Sequence, residues 1–206
     1  MALAPGDYDF LSNLSTVEAI VLGSILATLG GLCATQIEWQ LEKRRREKQA
    51  ALFIGELLAT LTVILALAKR VKGRGDPYGP VTLRMLRQAQ REIGMYDRNR
   101  EFLYNIRHAD LRARVHTMFL RLSNPLEGIF DTTEEMRAVQ TQLRTTQYSA
   151  EDRADLEARI QRLSEIREAG YEFIEETVTQ VPGLVKDLEM IAGRSFANSG
   201  GTLAGI

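Results

Sequence analysis

Cysteine, histidine and tryptophan are almost missing from this 206-residue chain, which holds one Cys, two His and one Trp. A single thiol, Cys33, excludes an internal disulfide and a cysteine-built metal site. The histidines, His108 and His116, stand eight residues apart. That spacing turns them about 80° from each other around a helix and does not converge on one ion. Neither has a Glu three residues before it, as a helical diiron site would want. The sequence also lacks a glycine-rich phosphate loop, a nucleophile elbow and a His-Glu-x-x-His pair. Glu172, Glu175 and Glu176 read as a solvated acidic face rather than a carboxylate site. These absences argue against an enzyme, a resident metal or a cofactor.

Basic residues are absent from the first 42 positions and then abrupt. The formal net charge of −1 hides three zones. Residues 1–36 carry three acids and no base, residues 37–130 carry eighteen bases against ten acids, and residues 131–206 carry eight bases against fourteen acids. A basic middle and an acidic end can pair with each other. Arginine outnumbers lysine 21 to 5, and alanine is frequent, a weak pointer to a GC-rich bacterial genome.

Two apolar runs flank the first cations. Residues 19–37, AIVLGSILATLGGLCATQI, contain no charge over nineteen positions. As a helix they span roughly 28 Å, close to the hydrocarbon thickness of a bilayer. Asp7 and Asp9 precede the run without a cation, the apolar stretch is too long for a signal-peptide core, and Gly30, Gly31 and Leu32 before Cys33 form no lipobox. The run therefore reads as an uncleaved transmembrane anchor, with residues 1–18 outside the membrane. Lys43, Arg44, Arg45, Arg46 and Lys48 follow it, so the positive-inside rule places the N-terminus out and the basic side in the cytoplasm of a bacterial inner membrane. Trp39 falls at the inner interface, where the neighbouring cations meet anionic lipid head groups. Gly23, Ala27 and Gly31 share one helix face and read either as a homodimer or hairpin contact or as ordinary small-residue usage.

The second run, residues 50–68, AALFIGELLATLTVILALA, is broken only by Glu56. Hydropathy alone makes it a second span. Lys69, Arg70, Lys72 and Arg74 follow it, and two spans would force one basic cluster outside, so charge favours a single span. A broad stripe of Phe53, Ile54, Leu57, Leu58, Leu61, Ile64 and Leu65 lies beside a narrow small-residue stripe of Gly55, Ala59, Thr62 and Ala66. That pattern suits a helix buried in a bundle and also a tight membrane hairpin. We expect one helix from the anchor to about Val71, with residues 38–72 as a basic juxtamembrane helix.

Residues 73–80, GRGDPYGP, form a loop. Its Arg74-Gly75-Asp76 tripeptide and the sequon at Asn13 are read as chance. Beyond it the pattern is helical throughout, and residues 81–194 are expected to form an up-and-down helical bundle, all-α, with residues 195–206 a loose tail. Helices are expected over 81–95 and 97–123, the latter carrying two apolar faces and so sandwiched between neighbours. Asn124-Pro125 should end it, Asp131 or Thr132 should cap the next helix, and Ser149 with Asp152 should cap a longer one. Leu156, Ile160, Leu163, Ile166, Phe173, Ile174, Val178 and Val181 approximate a heptad seam, and Pro182-Gly183 should break it. Arginines recur every seven residues in two registers, Arg84, Arg91, Arg98 and Arg112, and Arg100, Arg107, Arg114 and Arg121. They read as seams paired with the acidic helices, with phosphate contact as the alternative.

Three function classes follow. The first is a single-pass, non-enzymatic scaffold or protein-interaction module with a cytoplasmic bundle and an unknown protein partner. The second is a two-span pore-forming, holin-like or transport-accessory protein. The third is a regulator sensing lipid through basic residues 43–74, with nucleic acid the less favoured ligand.

Overall fold

The computed structural model describes residues 16–75 and 77–196. The sequon at Asn13, Asp76 of the tripeptide, most of the N-terminal segment and residues 197–206 of the expected tail lie outside the described residues. Of the described residues 89% are helical, and none lies in a strand. Helix α1 covers Thr16–Lys72, α2 Pro80–Arg98, α3 Ala109–Thr145, α4 Ala150–Val178 and α5 Val181–Ala192, and a 3-10 turn covers Arg100–Asn105. Two compact units divide the chain at Arg45 and Arg46.

In the first unit, α1 carries the first apolar run with its described side chains exposed, Ile25 at 50% and Leu26 at 60%. A Cβ at Gly23, Gly30 or Gly31 would meet nothing within 4 Å. In the second unit, the remainder of α1 is core. Ala50, Ala51, Ile54, Leu58, Leu61 and Ala68 are buried, Leu58 completely. Helix α1 is long and apolar enough to cross a membrane, and 44% of its most apolar eighteen-residue stretch is buried. Residues 20–46 are exposed throughout, so that stretch lies in the second run.

Residues 50–68 of α1 share one core with Leu86, Ala89, Ile93 and Tyr96 of α2, Val115, Phe119, Leu122, Leu126 and Ile129 of α3, Tyr171 and Ile174 of α4, and Leu184 and Leu188 of α5, and within it α3 pairs most closely with α4 and also meets α2 and α5. Burying such a side chain contributes about 1.5–3 kcal/mol, which is why residues 50–68 gather the bundle.

Helix boundaries follow expectation in part. Ser149 caps α4: the Asp152 amide donates to its Oγ at 3.1 Å, and its hydroxyl donates to Asp152 Oδ2 at 2.7 Å. Pro182 sits in the first turn of α5, where its missing N–H costs nothing, so the break after Val178 is where expected.

Five expectations are corrected. Asn124-Pro125 does not end a helix; α3 runs through Pro125 to Thr145. Leu122, Leu126 and Ile129 are buried on both sides of the proline, and Gly170 of α4 leaves room against its carbonyl and Ile129, so packing overrides the local break. Thr132 is therefore no cap: its hydroxyl and that of Thr133 donate back to Gly128 and Ile129 carbonyls, each at 2.6 Å. The expected helix over 97–123 is split, because Asn99 closes α2 and the 3-10 turn intervenes before Ala109. Its second apolar face is dismembered as well. Ile106 is buried and Phe102 packs on Phe53, whereas Leu120 is 46% exposed and Ala109 and Ala113 face solvent. In α4, Ile166 and Phe173 leave the expected seam for the surface, and Tyr171 and Thr177 are buried instead.

Candidate functional site

The residues expected at a membrane interface divide between the units. In the first, Trp39 is exposed and carries Lys43 Nζ 3.4 Å above its ring centre, with Arg44 and Arg45 exposed. A cation on an indole face is held by the ring quadrupole. In the second, Arg46 and Lys48 are exposed. Glu47, lying among these cations, turns inward: it accepts from the Arg107 amide at 2.9 Å and pairs with its guanidinium at 3.2 Å. Gly23, Ala27 and Gly31 lie in exposed helix.

Two of the cations after the second run, Lys69 and Lys72, reach carboxylates of α4, while Arg70 and Arg74 are exposed. Lys72 pairs with Glu168 and stands 4.2 Å from the Tyr171 ring centre. Tyr78 donates to Glu168 Oε2 at 2.8 Å, and Arg167 stacks on the Tyr78 ring at 3.8 Å. Lys69 pairs with Glu175 at 2.9 Å. This box ties the end of α1 and the 73–79 loop to α4. Burial works to raise the Glu168 carboxyl, but the hydrogen bonds from Lys72 and Tyr78 and the charges of Lys72 and Arg167 outweigh it and hold the group below its ordinary value. Burial, then the Glu168 hydrogen bond and charge, push the Tyr78 phenol well up. Burial, with Glu175 and Glu168 nearby, pushes Tyr171 up to about 12.

A second contact closes the bundle from the C-terminal side. Gly193 ends α5 in the left-handed conformation, φ 72°. Ser195 Oγ and the Phe196 amide both donate to Glu189 Oε1, at 2.8 and 2.6 Å. Phe196 is thereby turned onto Gly55 and is 1% exposed, and Arg194 pairs with Glu56. The expected loose tail is thus ordered through Phe196. The charge that interrupts the second run and the glycine in its small-residue stripe both serve this contact.

The arginine registers separate. Arg107 pairs with Glu47, Arg114 with Asp187 at 2.8 Å, and Arg121 donates to Gln180 at 3.0 Å. Arg100 Nη2 lies 3.0 Å from His116 Nε2, and the Tyr96 hydroxyl lies 3.2 Å from His116 Nδ1. Burial pushes Tyr96 up to about 12. All four members find partners within the chain, but only Arg114 meets a carboxylate of the later acidic helices, the pairing that was expected of the register. In the other, Arg112 donates to the Ile106 carbonyl at 2.7 Å and stitches the turn before α3. Arg84 and Arg91 of that register instead open on a surface groove with Arg87 and Arg137. Sequence reading missed Arg87 and Arg137, which lie outside both registers; the i, i+3, i+7 spacing of Arg84, Arg87 and Arg91 was the available signal.

Nothing matches. Protein-family models, curated proteins and solved structures alike give no match to this chain. The chemistry of the chain must therefore be argued from its own residues. Among the described residues no three His, Cys, Asp or Glu side chains gather as a metal site would need.

Proposed function

We propose that this protein is a single-pass, membrane-anchored helical scaffold, held by residues 19–37 and presenting the α1–α5 bundle to protein partners on the cytoplasmic side. One observation carries the reading: the more apolar second run is spent on the bundle core, while the first is exposed along its described length. An uncovered nineteen-residue apolar helix in water is unfavourable by the same transfer energy that builds a core. The cations at 43–48 support a cytoplasmic bundle, and Trp39 under Lys43 suits a lipid interface. Homodimerisation through Gly23, Ala27 and Gly31 belongs to the same proposal.

The two-span alternative needs residues 50–68 in lipid, and their burial in the bundle counts against it. A regulator sensing lipid through residues 43–74 is also less well supported, since Lys69 and Lys72 are engaged by Glu175 and Glu168.

The test is topology. Paired periplasm-active and cytoplasm-active reporters fused after Tyr78 and after Ile206 are expected to report the cytoplasm at both positions. Periplasmic signal at both would overturn the proposal and make residues 50–68 a second span.

A further inference from the structure

Four arginines of the bundle line one groove, and among the described residues none of them forms an ion pair. Arg84, Arg87 and Arg91 of α2 and Arg137 of α3 line an open groove of about 680 Å³, with Leu83 and Gln88 among its other lining residues and no carboxylate in the lining. The spacing i, i+3, i+7 sets the three α2 arginines in one stripe over about 10 Å. All four are exposed, and among the described residues none makes an ion pair or a side-chain hydrogen bond. Arg87 rests 5.7 Å from the Phe130 ring centre, which fixes its direction.

Acids are not in short supply. Glu127, Asp131 and Glu134 line the adjoining pocket that shares Arg87 and Arg137. They do not reach Arg84 or Arg91, which belong to the acid-free groove. Like charges at i, i+3 and i, i+4 oppose one another along a helix, so the stripe is an arrangement that a bound anion would relieve. The other arginine register shows the contrast, since Arg107 finds Glu47 on α1, Arg114 finds Asp187 on α5 and Arg121 finds Gln180 just before α5.

We propose that this groove binds a ligand with clustered phosphate groups, whether a soluble oligophosphate or a phospholipid headgroup. Charge density decides the class. A carboxylate brings one negative charge, whereas a phosphate brings up to two and three strong acceptor oxygens that planar guanidiniums grip in pairs. Four cations lining one groove are balanced by two or three phosphates. The volume lies within the usual range of small-ligand pockets. The groove lies wholly within the second unit, and its chemistry is independent of the membrane reading.

Calorimetric titration of the full chain in an uncharged maltoside detergent tests this. One arm uses inorganic tripolyphosphate. The other uses mixed micelles containing phosphatidylglycerol. Saturable binding in either arm is expected, weakened at least tenfold in the R84Q/R91Q variant and several-fold in R137Q, and unchanged in R153Q, whose arginine pairs with Glu157 on α4. Circular dichroism of each variant verifies that the helices remain. The arm that binds identifies the source of the phosphate. Absence of binding in both arms overturns the proposal, as does undiminished binding by R84Q/R91Q. Tetraglutamate binding as tightly as tripolyphosphate would overturn the assignment to phosphate.

Discussion

The ring of Phe196 occupies the space that a side chain at Gly55 would need. A Cβ placed there would fall 2.1 Å from Phe196 Cε2 and 2.5 Å from Cζ. No rotation of a methyl group relieves such an overlap, so Gly55→Ala must expel the ring. Phe196→Ala is expected to cost about 3 kcal/mol, at the low end for a buried phenylalanine. The double variant should cost clearly less than the sum of the two singles, since both remove one contact. Denaturant titration in detergent followed by circular dichroism measures all three; strict additivity would disprove the coupling.

The two apolar runs should respond oppositely to substitution. Leu58→Ala, at a fully buried position, is expected to destabilise the bundle by about 2–5 kcal/mol without releasing the protein from the membrane. Leu26→Asp, in the exposed run, should leave bundle stability unchanged and lower the membrane-bound fraction on cell fractionation. Membrane release by the first substitution, or loss of bundle stability by the second, would reverse the roles assigned here.

Glu168 makes the bundle sensitive to acid. Its carboxyl is held below the ordinary value, so the folded state favours the charged form. The resulting stabilisation is present above the unfolded-state value, near 4.5, and is lost as pH falls through the lower folded value. Glu168→Gln should flatten that acid limb of the stability–pH curve and leave Lys72 without its partner. An acid limb of unchanged slope in this variant would show that other carboxylates govern it.

Pro125 removes a backbone donor from the middle of α3. Pro125→Ala restores the hydrogen bond to the carbonyl four residues earlier, and is expected to stabilise the protein by roughly 1 kcal/mol, less than the full interior penalty of about 3 kcal/mol because the surrounding packing has adapted to the ring. Thermal unfolding measures the shift. A lowered midpoint would mean that the proline ring supplies packing worth more than the missing bond.

The helical character, the Ser149 cap and the stop at Pro182 were legible because each rests on local chemistry within a turn or two of sequence. What depended on distant partners was not. Pro125 reads as a helix end until Gly170 and the buried residues around it are known. Residues 50–68 fit a membrane span and a core helix equally well, because apolar surface does not specify what will cover it. Glu56 read as an interruption until Arg194 was placed beside it. The arginine registers were visible as a period, but the period could not tell paired Arg114 from unpaired Arg84. Only the positions of the carboxylates in space separate them.

The pairing of Glu56 with Arg194 joins residues 138 positions apart. At a ribosomal pace of about 5–20 residues per second, roughly 7–28 s separate their synthesis. During that interval the nascent chain carries an apolar nineteen-residue segment whose covering helices emerge one after another, α5 last, immediately behind another apolar run. On the proposed membrane reading, folding of this protein is a race against insertion. Substitutions that slow translation or weaken α4 would be felt first as a change in how many times the chain crosses the bilayer, before any loss of stability in the finished bundle.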